Sequence, residues 1–326
     1  MKYLFIIVAF LHNTLTAQIL YVQKSVALPK FISESSGVCK MPDGNFLTFN
    51  DSGNSSDIYV LDSIGNYIKT IKLKGANNID WEAISVCYNM VYLADIGNNI
   101  NNRNIFELYY FKYNINDTDF NAEKIIFTYK NNIFLTKSQW GHNFDAEAII
   151  CLDRNIYLFS KNRTNPYNGI CYLYKINTSH ISSSLVPIDS IVVGTKGFFS
   201  NSITDAAISP SGKTLALITT KKIYLFYDFK EDEFFRGKHA EFTFDKFTQK
   251  EGVCFLNEDT IIVTDENHHF IPGGKIYYYE VSSFLNGNKV YRSQEIERVD
   301  IKITSNNKSS NDGICEFKIL LYDKSK

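Results

Sequence analysis

The chain of 326 residues carries 34 basic and 35 acidic residues, for a formal net charge of −1. No like-charge run is long enough to form a tail. This balance excludes generic binding to nucleic acid or to an anionic lipid surface, which depends on a concentrated excess of Lys and Arg.

At the N-terminus, Tyr3 to Leu11 is an apolar run, and Leu15-Thr16-Ala17 precedes Gln18 with the small-residue pattern that signal peptidase accepts. Residues 1–17 therefore read as a signal peptide, with a secreted or periplasmic destination. The run is too short for a transmembrane segment, which needs roughly 20 apolar residues. Residues 18–326 exceed an average domain, yet all-β barrels and propellers reach this length as one unit.

Five short phrases recur along the remainder: Gly37-Val38-Cys39, Ala83-Ile84-Ser85, Ala148-Ile149-Ile150, Ala207-Ile208-Ser209 and Gly252-Val253-Cys254. A sixth is Gly313-Ile314-Cys315. They start at 37, 83, 148, 207, 252 and 313, at spacings of 46, 65, 59, 45 and 61 residues. A second apolar segment follows each of the first five: Asn45 to Phe49, Met90 to Ala94, Asn155 to Ser160, Thr214 to Thr219 and Thr260 to Thr264. A third alternates large apolar side chains, as in Ile58-Tyr59-Val60-Leu61, Phe106-Glu107-Leu108-Tyr109, Tyr172-Leu173-Tyr174, Ile223-Tyr224-Leu225-Phe226 and Ile276-Tyr277-Tyr278-Tyr279. Alternation with period two marks strands. More variable outer segments, such as Lys124 to Tyr129 and Glu241 to Phe244, complete four strands per unit.

One four-stranded unit every 45 to 65 residues is the signature of a β-propeller. The expected fold is all-β, with about six blades, five or seven being the alternatives. The segment Ile19 to Leu28 is expected to pair with the C-terminal unit at Ile314 to Tyr322, closing the ring and removing exposed sheet edges.

First and second strands are antiparallel, so the start of one and the end of the other share an edge. That places Asp80-Trp81-Glu82, Asp145-Ala146-Glu147, Thr204-Asp205 and Lys250-Glu251 at one mouth of the channel. The turns beginning at Asn50, Asp95, Lys161, Lys221 and Asp265 join them. Converging carboxylates repel unless they are protonated or share a cation, and a set of Asp, Glu and Asn suits Ca²⁺. Asp80, Glu82, Glu147 and Glu251 are the expected metal ligands. Asp51, Gly53, Asp95, Gly97 and Asn98 read chiefly as hairpin residues. Arg103, Lys161 and Arg163 are expected to bind an anionic part of a ligand, and Trp81 either stacks on one or packs between blades. Signatures of zinc proteases, nucleophile elbows and phosphate or dinucleotide loops are absent.

The six cysteines lack tight spacing. Cys39, Cys254 and Cys315 fall at one repeat position inside apolar strands, as small buried hydrophobes do, which leaves room for one bridge.

Over about residues 34 to 280, several phrases together resemble a family of exported bacterial propellers of unassigned function, mostly from the Bacteroidetes. They include Asn50-Asp51-Ser52-Gly53-Asn54, Asn78-Ile79-Asp80-Trp81-Glu82-Ala83, Asp145-Ala146-Glu147-Ala148 and Lys250-Glu251-Gly252. More distantly, the Glu-Ala or Glu-Gly opening is similar to that of esterase-like phytase and NHL-type six-bladed propellers. Two functions follow as expectations. One is a secreted module binding a small molecule, glycan or protein at an acidic, Ca²⁺-loaded mouth. The other, implied by the distant resemblance, is a calcium-dependent hydrolase of phosphoesters or lactones, in which Asp145 or Asp205 activates a water.

Overall fold

The computed structural model describes residues 18–130, 142–180, 182–195, 197–267 and 271–282, with the short strands Ile296–Arg298, Ile303–Ser305 and Phe317–Ile319. The expected signal peptide lies outside these residues, as does the Gly313-Ile314-Cys315 phrase. Among the described residues no helix is long and apolar enough to cross a membrane.

Two strands precede the first blade: β1 (Gln18–Leu20) and β2 (Val22–Ala27). Blade 1 comprises β3 (Ser35–Lys40), β4 (Phe46–Asn50), β5 (Asp57–Leu61) and β6 (Tyr67–Lys74). Blade 2 runs β7 (Trp81–Cys87), β8 (Met90–Asp95), β9 (Phe106–Lys112) and, after β10 (Asp119–Asn121), β11 (Glu123–Tyr129). Blade 3 is β12 (His142–Leu152), β13 (Asn155–Arg163), β14 (Ile170–Asn177) and, after β15 (Ser182–Leu185), β16 (Asp189–Val193). Blade 4 holds β17 (Asp205–Ile208), β18 (Thr214–Ile218), β19 (Lys222–Tyr227) and β20 (Lys238–Phe244). Blade 5 is β21 (Gln249–Phe255), β22 (Thr260–Glu266) and β23 (Lys275–Glu280), and its fourth strand is the N-terminal β2.

The chain is a five-bladed β-propeller. The inner strands β3, β7, β12, β17 and β21 each touch the next, and β21 returns to β3. Five apolar cores fill the gaps between sheets. Leu47, Val60, Trp81 and Leu93 join blades 1 and 2, and Phe106, Ala94, Ile149 and Leu158 join 2 and 3. Ile150, Phe159, Leu217 and Phe226 join 3 and 4, while Ile218, Leu225, Val263 and Tyr279 join 4 and 5. The ring closes on Val38 and Leu61 of blade 1 against Ile262 and Ile276 of blade 5.

Five blades is one of the expected counts, and among the described residues the ring is closed by the N-terminal β2, while the expected C-terminal partner Ile314 to Tyr322 lies outside them apart from the strand Phe317–Ile319. The N-terminal strands are committed elsewhere: β2 pairs antiparallel with β23, and β1 pairs parallel with β20. The reason is packing at the seam. Gly252 lets blade 5 lie directly on blade 1: a Cβ there would sit 2.2 Å from Thr264 Oγ1 and 3.1 Å from the Gly37 carbonyl carbon. The polar stretch Ser305 to Asn311 offers no apolar face for insertion between them.

Neighbouring blades are also clasped at the rim. The connection entering an outer strand reaches back to the preceding blade: β10 pairs parallel with β6, β15 with β11, and β1 with β20. In blade 4 this connection is a 3-10 turn, Phe234–Arg236, which buries Phe234 and Phe235 in the core shared with blade 3. Near the axis, a Cys87–Cys151 disulfide ties β7 to β12 across 64 residues of chain. Cys39, Cys171 and Cys254 are free and buried.

Two stability measurements test this account. Gly252→Ala should destabilise the fold by about 1–3 kcal/mol through overpacking at the seam, read as a lower denaturant midpoint with an unchanged slope. Removing the disulfide with Cys87→Ser and Cys151→Ser together should cost about 2–4 kcal/mol, as expected for releasing a loop of that length.

Candidate functional site

The repeated glutamates owe their position to a local irregularity of the sheet. In β3, β7, β12 and β21 the ladder to the second strand slips between Ser35 and Gly37, Trp81 and Ala83, Ala146 and Ala148, and Lys250 and Gly252. Each slip leaves one unpaired residue: Ser36, Glu82, Glu147 and Glu251. A β-bulge bends the strand and re-aims the extra side chain, and here it does so one place before each small residue of the repeat. Glu82, Glu147 and Glu251 are all buried.

Buried though they are, these acids share one space. Burial first, then the charges of Glu147, Asp51 and Asp80, hold the Glu82 carboxyl well above the usual range. Burial and the neighbouring Asp51 and Glu147 charges push Asp80 up to about 7. Burial raises Glu251 to about 8 against the pull of Lys161, with Glu147 adding to the rise. Glu266 rises to about 9 through burial and the Glu251 and Asp51 charges.

The tightest group is Asp51, Asp80 and Glu82, whose carboxylate oxygens lie within 4.8 Å of one another. Asn78 assembles it by donating to the carbonyls of both Asn50 and Asp51 at 3.0 Å, and by accepting from the Trp81 amide at 3.2 Å. The blade 1 turn is thereby pinned to the start of β7. Beneath the group runs Gly97. A Cβ there would stand 2.2 Å from Asp80 Oδ2 and 2.4 Å from Glu82 Oε1, so only glycine lets both carboxylates occupy this position. Arg103 braces that loop by donating to the Gly97 carbonyl at 2.8 Å and pairing with Asp95 at 2.7 Å. The Glu82 carboxylate, 4% exposed, has no hydrogen-bond or ion-pair partner among the described residues.

Glu147, Asp145 and Asp205 have partners of their own. Lys161 lies 2.8 Å from Glu147. Burial alone would lower its ammonium, but Glu147 and Glu251 outweigh that and hold it above the ordinary lysine range. Arg163 Nε donates to Asp145 Oδ2 at 2.6 Å, and Asp145 Oδ1 accepts the Asn98 amide at 2.7 Å. Asp205 Oδ2 accepts the Val253 amide at 2.7 Å. Both aspartates therefore lock one blade to another.

Of the expected metal ligands, Asp80 and Glu82 stand together, whereas Glu147 and Glu251 cluster around Lys161. Of the expected general bases, Asp145 has both oxygens engaged, whereas Asp205 accepts the Val253 amide through Oδ2 and leaves Oδ1 buried without a hydrogen bond. The expectation of a ligand-stacking Trp81 is corrected: it is fully buried between blades 1 and 2, edge-on to Phe49 at 5.9 Å, with its indole N–H on the Asn77 carbonyl. Arg103 likewise serves the loop rather than a ligand. Asp51 was read as a turn residue, and its role as third carboxylate depends on Asn78, 27 residues away. His268 and His269 lie outside the described residues.

Beside the acids, between blades 3, 4 and 5, opens a cavity of about 540 Å³ lined by Lys161, Glu251, Phe199 and Phe247, among others. The opposite mouth holds a second cavity of about 480 Å³ at the far ends of the inner strands, whose charged lining is Lys40 and Asp153.

No protein-family model matches the chain, and no curated protein does. Solved structures similar in fold include the PQQ-bound form of aldose sugar dehydrogenase from Streptomyces coelicolor, at TM-score 0.48 and 10% identity over 79% of this chain and 97% of that one. Another is the Cps50 (Swd1) β-propeller domain of Myceliophteria thermophila, at 0.41 and 8% over 80% and 99%. A third is virginiamycin B lyase from Staphylococcus aureus, at 0.39 and 13% over 78% and 68%. The likeness concerns the fold alone.

The acids dictate a pH dependence. Their folded values, about 7 for Asp80, 8 for Glu251 and 9 for Glu266, lie above the ordinary 3.8 and 4.5. The folded state thus keeps protons that the unfolded chain releases, and stability falls as pH rises from about 4 to about 9. In chelator, the melting temperature should drop steadily across this window; a flat or rising profile would contradict the assignment.

Proposed function

We propose that this protein is an exported ligand-binding propeller whose acidic mouth takes Ca²⁺ on Asp51, Asp80 and Glu82. The observation that carries the reading is the convergence of these carboxylates within 4.8 Å, with Glu82 buried and unpartnered. A buried carboxylate without a partner is costly unless it is protonated or bound to a cation. Three acidic oxygen donors on two loops and a bulge match the flexible, oxygen-rich coordination of Ca²⁺, with water filling the remaining positions. The N-terminal run to Ala17 and the resemblance to exported bacterial propellers support export.

Binding is favoured over phosphoester or lactone hydrolysis for a specific reason. Asp145, the candidate water-activating base among the converging acids, has both oxygens engaged, Oδ1 by the Asn98 amide and Oδ2 by Arg163, and Asp205 spends Oδ2 on the Val253 amide in tying blade 4 to blade 5.

Exchanging chelator for Ca²⁺ at about pH 8 should raise the melting temperature, by the equivalent of about 2.7 kcal/mol when the ion is at one hundred times its Kd. Glu82→Gln and Asp51→Asn should abolish the calorimetric binding signal, and Gly97→Ala should do the same by displacing two ligands. Glu82→Gln also removes a buried charge, so its chelator-treated form should be at least as stable as the parent, which separates loss of the site from loss of the fold. An identical Ca²⁺ response in parent and Glu82→Gln would refute the site.

A further inference from the structure

We propose that the cavity between blades 3, 4 and 5 binds a neutral sugar ring. The inference deepens the binding-module reading and rests on it, but not on the cation. At about 540 Å³ the cavity falls within the range of about 300–1,000 Å³ typical of small-molecule sites.

Its walls are unusual. Phe199 is 78% exposed and Phe247 63%, and these two phenylalanines from separate segments face the same space. One exposed aromatic ring needs no explanation, but two lining one cavity mark an apolar surface kept for a ligand. Phe199 is held in place. Its carbonyl accepts the Thr220 hydroxyl, its short helix Phe198–Asn201 is closed by the Ser202 amide on the Phe198 carbonyl at 3.0 Å, and the Phe198 ring stacks on the Arg163 guanidinium at 4.9 Å.

Charge decides the ligand class. Among the described residues, the ionisable groups lining the cavity are Lys161 and Glu251. An ammonium ligand meets Lys161. A carboxylate or phosphate finds Lys161 already paired with Glu147 at 2.8 Å and gains little from it, with the Asp51 carboxylate also near Glu251. A neutral polyol suits this lining: its hydroxyls accept from Lys161, hydrogen-bond to the Glu251 carboxyl and exchange hydrogen bonds with Thr204. The C–H face of a sugar ring supplies the apolar surface that the two phenylalanines would cover.

The test is calorimetry and ligand-observed NMR on residues 18–326, using glucose, galactose, mannose and N-acetylglucosamine, with glucosamine and glucuronate as charged controls. At least one neutral sugar should bind saturably. Phe199→Ala and Phe247→Ala should each weaken it by about tenfold or more at unchanged melting temperature, and the charged analogue of that sugar should bind at least as weakly. The proposal is overturned if no neutral sugar saturates, if both alanine variants bind like the parent, or if a charged analogue binds as tightly. Ca²⁺ titrations of the same preparations read the cation site separately. The two phenylalanine variants should keep the Ca²⁺ signal, and Glu82→Gln should keep the sugar signal, so either site can fail without the other.

Discussion

Each of the five blades has apolar surface on both faces, and only a neighbouring blade can cover it, so the ring must close for any blade to be stable. Closure falls on the weakest point, where chain neighbours give way to blades more than two hundred residues apart. The absence of a side chain at Gly252 lets β21 rest on the Gly37-Val38 backbone of β3, with Val38, Leu61, Ile262 and Ile276 packed outside. The N-terminal β2 then completes blade 5, so the seam is held by backbone hydrogen bonds as well as by burial. With the gap taken, five inner strands crowd around the axis, and whatever their first residues carry is brought together.

What they carry is divided by side-chain length. Asp145 and Asp205 are short and reach only the next strand or loop, where each accepts a backbone amide and fixes one blade against another. Glutamate at the bulged position is longer and re-aimed, so Glu82, Glu147 and Glu251 project into the shared space and feel one another's charge. The same strand ends thus serve both stability and chemistry, through a one-methylene difference and a one-residue slip in register. In blade 1 the bulge holds Ser36 instead, and an acid is supplied from the end of the next strand, by Asp51.

The strands, their grouping into units and the mouth at which the acids gather were legible because they depend on local alternation and on antiparallel geometry. The blade number was not, because it is decided at the seam. The sixth phrase, Gly313-Ile314-Cys315, satisfies the local pattern, and nothing local says that β2 and β21 have already made a closed ring. Asp51 was obscured for a related reason. Its surroundings in sequence are those of a turn, and its approach to Asp80 and Glu82 is arranged by Asn78 from the following blade. Trp81 shows the converse: of the two roles open to a rare aromatic residue beside acids, platform or packing, its indole takes the second and fills the gap between blades 1 and 2.

Apart from Asp145 and Asp205, the acids at the mouth are not needed to hold the ring together. Five apolar cores, a disulfide and the rim clasps already do so, and buried charges as a rule are matched or bettered in stability by apolar residues of similar size. Lys161 offsets only Glu147 at close range, and Arg163 is spent on Asp145. Protons can neutralise the rest, but only by raising Asp80, Glu251 and Glu266 to values near or above neutrality, so the metal-free state becomes less stable as pH increases. A divalent ion on Asp51, Asp80 and Glu82 relieves the same repulsion without that dependence. It would also weaken the field that Glu251 feels from Asp51, coupling the charge state of the cavity floor to occupancy of the neighbouring carboxylate group.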